Sequence, residues 1–526
     1  MNTTPDMSKE NKRSNLLRAT SSIGGWTMAS RLLGFVRDLF IARLLGASLL
    51  ADAFFVALKL PNFFRRLFGE GTLSVAIIPV LAEERQQGEA AAHRYLDAMA
   101  GLVLTALTLL TLLGILFMPA LLLLFAPGFA DEPNRWAATV SLARWMFPYL
   151  LMISLTAMAW AVLNGYKKFA LAAATPILYN VAIVFGAVVL SPMIDNPAFA
   201  LALGVLLGGL LQLLVQFPAL RRLGWRPRPL LNLRAAWRND GVRRTLPIFG
   251  GAVLGIAAVQ INLLVGGMLA TMLPEGAVSF LYYADRIMEL PLALFGIAMG
   301  TAILPTLSDH LAKGDREAAQ HDLSEGLSWL TWITLPALAG ILWLAEPIIV
   351  TLFQHGAFTH RDAVESANAL RGYGVGLIAF CWARVLAAAC YAGKDARNPA
   401  RFAAIGVAAN IVLSLILMQW LAHVGLALAT SLAAFVNAGL LFLHLRKSYG
   451  RILSRTALRR IRRAVAATLA MLLALAGFEQ RLAFPNGILL QFLWLGADIL
   501  LAFAIFVAVS RLLGEKINLR GLKGAA

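Results

Sequence analysis

The apolar run Met28–Gly46, "MASRLLGFVRDLFIARLLG", carries Arg31, Arg37, Asp38 and Arg43. A charge at mid-bilayer costs about 2.5–3.5 kcal/mol on insertion scales. Each of these side chains therefore needs water, a counter-charge or a polar guest beside it. With residues about 100° apart around a helix, Arg31 and Asp38 share a face. Arg37 lies off that face unless Gly34 lets the helix bend. The next run repeats Asp52, Lys59 and Arg66 every seven residues, and Glu70 joins the stripe. Arg65 is adjacent, Asn62 sits between, and Pro61 interrupts the hydrogen-bond ladder where a cavity wall would tolerate it. A third run, "YYADRIMEL", holds Asp285, Arg286 and Glu289 within about one turn.

Guanidinium forks match the oxygens of phosphate two at a time. Arginines outnumber carboxylates in the N-terminal members of this set, which suits an anionic guest. A small cation would call for the opposite surplus. Arg31, Arg37, Arg65 and Arg286 are the candidate substrate-binding residues. Asp52, Arg66, Glu70, Asp285 and Glu289 are the supporting cavity or gate charges. The plainer alternative is that these groups pair internally, Arg286 with Glu289 for instance, and only hold helices together. Arg43 reads as snorkelling to an interface. Covalent chemistry finds little support. There is no glycine-rich loop ending in lysine and serine or threonine, which disfavours an ATP-driven pump. His355 and His360 in "HGAFTHRD" lack ligand-like neighbours, so neither a metal nor a cofactor is expected.

The elements that must position these residues follow from composition. The chain has 526 residues, 59% hydrophobic and 14% charged, with mean hydropathy +0.73. A soluble domain carries roughly 25% charged residues. This is an all-α polytopic membrane protein by composition. Its two cysteines, Cys381 and Cys390, lie in an apolar segment and indicate no disulfide framework. The net charge of +18 could suggest nucleic acid, but the basic residues cluster between apolar runs, as topology signals do. The polar start, "MNTTPDMSKENKRSNLLR", reads as a retained tail rather than a signal peptide.

About 20 apolar residues cross a bilayer as helix. Fourteen candidate spans result: 22–46, 51–82, 95–126, 137–163, 169–192, 198–220, 244–272, 278–308, 325–353, 366–391, 400–421, 424–445, 462–480 and 487–513. Charge compromises the first two. The break near His423 is the least distinct, because "VGLALATSLAAF" follows so closely. The linker Arg221–Arg244 holds eight basic residues and one acid, Asp240, and Arg446–Arg463 holds eight and none. With fourteen spans, both linkers and the tail "GEKINLRGLKGAA" share the side of the N-terminus. The bias of lysine and arginine to the inner face then puts both termini in the cytoplasm.

The chain also resembles itself. "LPNFFRRLFGEGTLSVAIIPVLAEERQQGE" aligns with "LPLALFGIAMGTAILPTLSDHLAKGDRE", matching Pro79 to Pro305 and Gly88 to Gly314 at an offset of 226 residues. "LLLLFAPGF" further matches "IVTLFQHGAF". The copies run in the same sense, so two parallel six-helix repeats could enclose a central cavity and rock to alternate its access. The expected organisation is a tail (1–21), a first bundle (22–220), a basic linker (221–243) and a second bundle (244–445). A second basic linker (446–461), two extra helices (462–513) and a final tail (514–526) complete it.

The run "SRLLGFVRDLFIARLLGASLLADAFFVALKLPNFFRRLFGEGTLSVAIIPVLAE" resembles the N-terminal signature of the MurJ/MviN family of bacterial lipid II flippases. "YYADRIMELPLALFGIAMGTAILPTLS" resembles that family's eighth-span signature. The likeness runs over essentially the whole chain. It implies membership of the multidrug/oligosaccharidyl-lipid/polysaccharide exporter superfamily. The substrate implied is undecaprenyl-pyrophosphate-linked MurNAc-pentapeptide-GlcNAc, carried from the inner to the outer leaflet of the cytoplasmic membrane. The family's cavity arginines fall on Arg31, Arg37, Arg65 and Arg286, and its second-span acid on Asp52. Arg66, Glu70, Asp285 and Glu289 also match. The last two spans would form a groove for the polyprenyl tail. Membrane phospholipids and peptidoglycan-synthesis proteins are the implied partners, and nucleic acid is not. A translocase for another lipid-linked oligosaccharide and a drug/cation antiporter of the same superfamily are the competing readings.

Overall fold

The computed structural model describes residues 7–68, 71–479, 484–485 and 487–515. Glu70 lies outside them. Secondary structure among the described residues is helical, with no strand. Hydrocarbon offers no hydrogen bonds to a bare backbone, so a spanning chain satisfies itself as helix. The chain divides into two compact units, residues 1–275 and 276–526.

The first unit comprises α1 (Met7–Leu45), α2 (Leu49–Phe68), α3 (Thr72–Gln86), α4 (Glu89–Leu116), α5 (Met118–Phe125), α6 (Pro133–Met146), α7 (Tyr149–Gly165), α8 (Ala170–Phe185), α9 (Pro197–Leu214), α10 (Gln216–Arg222), α11 (Leu233–Trp237) and α12 (Asp240–Thr271). The run expected to cross at 51–82 is two helices, parted by Gly71 at φ +80°. Tyr95, Leu96, Met99, Met158, Val162 and Leu163 belong to a buried core, which Val242 of α12 joins. Tyr95 and Thr245 hydroxyls meet at 2.7 Å, and Arg244 pairs with Glu83 and Glu84. The buried hydroxyl pair and the ion pairs tie α12 to α3 and α4, and the compact units divide after Glu275.

The second unit comprises α13 (Ala277–Pro291), α14 (Ala298–Ala312), α15 (Arg316–Phe353), α16 (His360–Gly374), α17 (Leu377–Ala392), α18 (Arg397–Tyr449), α19 (Arg455–Glu479) and α20 (Ile488–Leu512). A π-helical turn, Leu292–Ile297, joins α13 to α14. At 53 residues α18 would run about 80 Å as one straight helix, far beyond a bilayer. Ala422, at φ 46° and ψ −127°, divides it. Gly425 is packed so close to the Leu417 carbonyl that any Cβ would collide; the two halves fold back as a hairpin. Helices α19 and α20 dock on α15 through Trp332, Met471, Leu475 and Phe506. Trp332 donates to the Ser510 hydroxyl at 3.3 Å.

Nine helical segments among the described residues are long and apolar enough to cross a membrane. Helices α1 and α2 are not among them, in keeping with their charge. Leucines such as Leu109, Leu112, Leu473 and Leu500 are exposed, as lipid-facing positions are where the solvent is hydrocarbon.

Local geometry recurs at the matched positions. Pro79 lies inside α3 and Pro305 inside α14, each helix 15 residues long. Gly88 (φ +118°) and Gly314 (φ +77°) then turn the chain into α4 and α15. The turns after α7 and α17 each place a lysine in the left-handed region, Lys167 and Lys394, both at φ 60°. In each, the next amide bonds back across the turn, Lys168 to Leu163 O at 2.8 Å and Asp395 to Cys390 O at 2.9 Å.

Candidate functional site

In the first unit, α1 and α8 together hold Arg37. Its Nη2 and Nε donate to Asp38 Oδ1 at 2.6 and 2.9 Å, and its Nη1 donates to Asn180 Oδ1 at 3.0 Å. Asn180 Nδ2 donates to the Ser30 carbonyl at 3.0 Å. Gly34 faces Asn180 here; a Cβ added there would lie 3.6 Å from Asn180 Nδ2, an ordinary contact. Asp38 is buried while Arg37 keeps a partly open edge. Arg31 and Arg43 are exposed on the same helix. The neighbouring carboxylate aims and partly neutralises Arg37.

Helix α2 presents Arg65 in a similar fashion. Pro61 has no N–H to offer the Ala57 carbonyl; one residue on, Asn62 Nδ2 donates to the Leu58 carbonyl at 2.8 Å. Its Oδ1 accepts from Arg65 Nε at 3.0 Å, which fixes the direction of the guanidinium. Lys59 and Arg66 are exposed, and Lys59 Nζ passes beside Gly267 of α12.

Asp52 departs from the stripe on which the seven-residue spacing placed it. It is fully buried, 0% exposed, and its Oδ2 accepts from Arg135 Nη2 at 2.6 Å. Arg135 is also 0% exposed. It contacts the Leu273 carbonyl and Glu132, each at 3.3 Å, and lies 3.9 Å over the Phe129 ring. Helix α6 packs along α2, from Arg135 beside Asp52 to Phe147, just past its end, against Phe64; Asp52 falls inside that contact, and Lys59 and Arg66 are exposed. Nothing in the spacing of α2 names Arg135, which sits 83 residues away on a helix with no other inward charge pattern.

In the second unit, Arg286 Nη1 donates to Glu289 Oε2 at 2.8 Å, and its guanidinium lies 4.8 Å from the Tyr282 ring centroid. Asp285 and Glu289 are exposed on the same helix. The pairing of Arg286 with Glu289 is the one that the three-residue spacing permits. Arg384 of α17 is a further exposed arginine inside an apolar segment, its backbone against Gly300 of α14. The sequence reading passed over it, although a lone charge in "LIAFCWARVLAAACYA" is itself a signal. His355 and His360 have local roles: the first meets the Thr351 carbonyl at 3.1 Å, and the second Gln354 beside the Thr359–Asp362 capping box.

Each unit thus exposes guanidinium groups oriented by a neighbouring carboxylate, amide or aromatic ring. Such groups bind oxyanions. They do not form a nucleophile–base pair.

The sequence matches the family described as lipid II flippase MurJ over residues 41–495. The probable lipid II flippase MurJ of Vibrio cholerae serotype O1 is 39% identical over 444 residues, 82% of this chain and 84% of the relative. The lipid II flippase MurJ of Burkholderia cenocepacia is 39% identical over 439 residues, with 82% and 84% covered. Among solved structures, a lipid II flippase MurJ in an inward closed conformation superimposes with TM-score 0.79 at 25% identity, covering 93% of this chain and 98% of that one. An inward-facing multidrug transporter of the MATE family shares the fold, with TM-score 0.65 at 15% identity, over 80% and 95% of the two chains. By the extent of the sequence match and the identity to these relatives, the chain is a multi-pass membrane protein belonging to the MurJ family of lipid II flippases.

Proposed function

We propose that the chain flips lipid II from the inner to the outer leaflet of the cytoplasmic membrane by alternating access. The pyrophosphate head cannot enter hydrocarbon unaided. Arg31, Arg37, Arg65 and Arg286 would replace its hydration while the isoprenoid stays in lipid, with the groove beside α19 and α20 as its track. Glu289 and Asp38 would hold Arg286 and Arg37 when no anion is bound and yield to the pyrophosphate when one arrives. Arg66, Asp285 and Glu70 would serve as gate charges. Asp52 would act through Arg135, fixing the end of α2 from which Arg65 is presented.

The observation that carries this reading is the shared construction of Arg37, Arg65 and Arg286. In each, a side chain on the same or a neighbouring helix fixes the direction of the guanidinium. The matched prolines, glycines and left-handed lysines support a parallel duplication, six spans per copy, with α19 and α20 outside it. Counting α1, α2 with α3, α12 and α19 as spans, and α18 as two, gives fourteen helices. Both termini and both basic linkers then face the cytoplasm. The membrane potential is a fitting drive, worth about 2.3 kcal/mol per charge per 100 mV.

Replacement of Arg286 by alanine tests the proposal. The expected result is normal membrane insertion with lipid II retained on the cytoplasmic leaflet, read by leaflet-specific labelling after depletion of the wild-type protein. Transport at the normal rate would exclude Arg286 as an anion clamp. Arg286→Lys should restore transport only in part, since a point charge lacks the fork.

A further inference from the structure

We propose that the segment 221–238 is a docking ledge for anionic phospholipid headgroups at the membrane surface. Topology alone would ask only for positive charge in a loose linker. The structure has a pinned one. Asp97 of α4 holds it at three points: Oδ1 accepts from Trp225 Nε1 at 2.9 Å and from the Arg228 amide at 3.0 Å, and its carbonyl accepts from the Leu230 amide at 2.9 Å. The chain lies so close to α4 that a Cβ on Gly101 would sit 2.0 Å from the Leu230 carbonyl oxygen. Trp225 is buried as the anchor.

What this fixed strap presents outward is of two kinds. Arg221, Arg222, Arg226, Arg228, Arg234 and Arg238 are all exposed. Between them stand apolar side chains that a water-facing loop has no reason to display: Leu231 at 67% exposed, Trp237 at 52%, Leu233 at 41% and Leu230 at 37%. The segment leaves the end of Pro197–Arg222, long and apolar enough to cross a membrane, and leads into α12, counted above as a span, which places it at the depth of the bilayer surface. Leucine and tryptophan at that depth enter the headgroup–acyl boundary, and basic residues there attract anionic lipid. Asp240 at its end is the sole acid of the linker, and Arg244 beyond it is already paired with Glu83 and Glu84. Arg243 Nε donates to the Trp237 carbonyl at 3.1 Å, and the six ledge arginines are the linker's remaining cations.

The inference needs neither the lipid II reading nor a choice of which membrane face is inner, and its test reads neither. A cysteine placed at Leu231 carries an environment-sensitive fluorophore; the native Cys381 and Cys390 are buried. The full chain is placed in nanodiscs of phosphatidylcholine alone or with phosphatidylglycerol added. Phosphatidylglycerol should shift the emission to the blue and raise it. Salt near 1 M, where the screening length falls to about 3 Å, should reverse the change. Replacing Arg226, Arg228, Arg234 and Arg238 together by glutamine should abolish the response, and replacing them by lysine should keep it. Inorganic phosphate should leave the emission unchanged. As a second readout on the unlabelled protein, the phosphatidylglycerol co-purified per chain should fall in the glutamine variant. Equal emission in the two disc types, a response that survives the glutamine changes, or unchanged lipid retention would overturn the proposal.

Discussion

Replacing Arg135 by methionine should destabilise the first unit more than removing Arg135 and the Asp52 charge together. Both partners are wholly shielded and 2.6 Å apart. At an effective dielectric near 20, two unit charges at about 4 Å attract by about 4 kcal/mol, so at this contact the pair is worth at least that in direct attraction. Desolvation offsets much of it while both are present. Arg135→Met removes the attraction and leaves Asp52 charged in an apolar contact, which costs about 3–5 kcal/mol. It also frees the Leu273 carbonyl and the face of Phe129, to which Arg135 is applied. Asp52→Leu combined with Arg135→Met has no stranded charge, and buried pairs replaced by apolar groups are often neutral. The double variant should therefore recover most of that loss, so that its cost is well below the sum of the two single ones. Thermal unfolding of the four members of the cycle in one detergent, followed by protease resistance of the α2–α6 region, measures it. Additive losses, with the double variant the least stable, would refute the idea that a stranded carboxylate dominates.

Asn180→Ala should remove the brace on Arg37 and the donor to the Ser30 carbonyl, costing about 1 kcal/mol in stability and a larger share of lipid II transport, measured in the same leaflet assay. Arg460 joins α19 to its neighbours, meeting Glu325, Ser328 and Glu515 at 2.7 Å each and lying 4.1 Å over Trp329. Arg460→Ala should loosen α19 and α20 and raise their hydrogen-exchange rates, and Arg460→Lys should restore only part of the protection. In the turn after α17, the Asn398 side chain and amide, helped by His444, hold the Asp395 carboxyl below the usual carboxylate range. Its contribution to stability is present above the ordinary aspartate pKa and is lost as pH falls through the depressed one. Exchange at the Asn398 amide should therefore stay slow until pH drops below the ordinary aspartate range, and Asp395→Asn should remove that dependence.

Much of the architecture was legible in local chemistry. Apolar runs of bilayer length fold as helices in hydrocarbon, and the prolines and glycines at matched offsets do sit inside and at the ends of helices of equal length. The three-residue spacing of Arg286 and Glu289 sufficed to foresee their pairing, because both partners ride one helix. Asn180 under Arg37, Arg135 against Asp52 and the packing of α12 on α3 and α4 were not legible. Each joins residues dozens to well over a hundred positions apart, and a helical period says which side a residue takes, not what will cover it. The linker divides the same way. Its charge is plain in its composition, and that points to a membrane face. Only the folded chain shows Asp97 and Gly101 holding it flat, because a strap pinned through backbone groups leaves no mark on its own side-chain pattern.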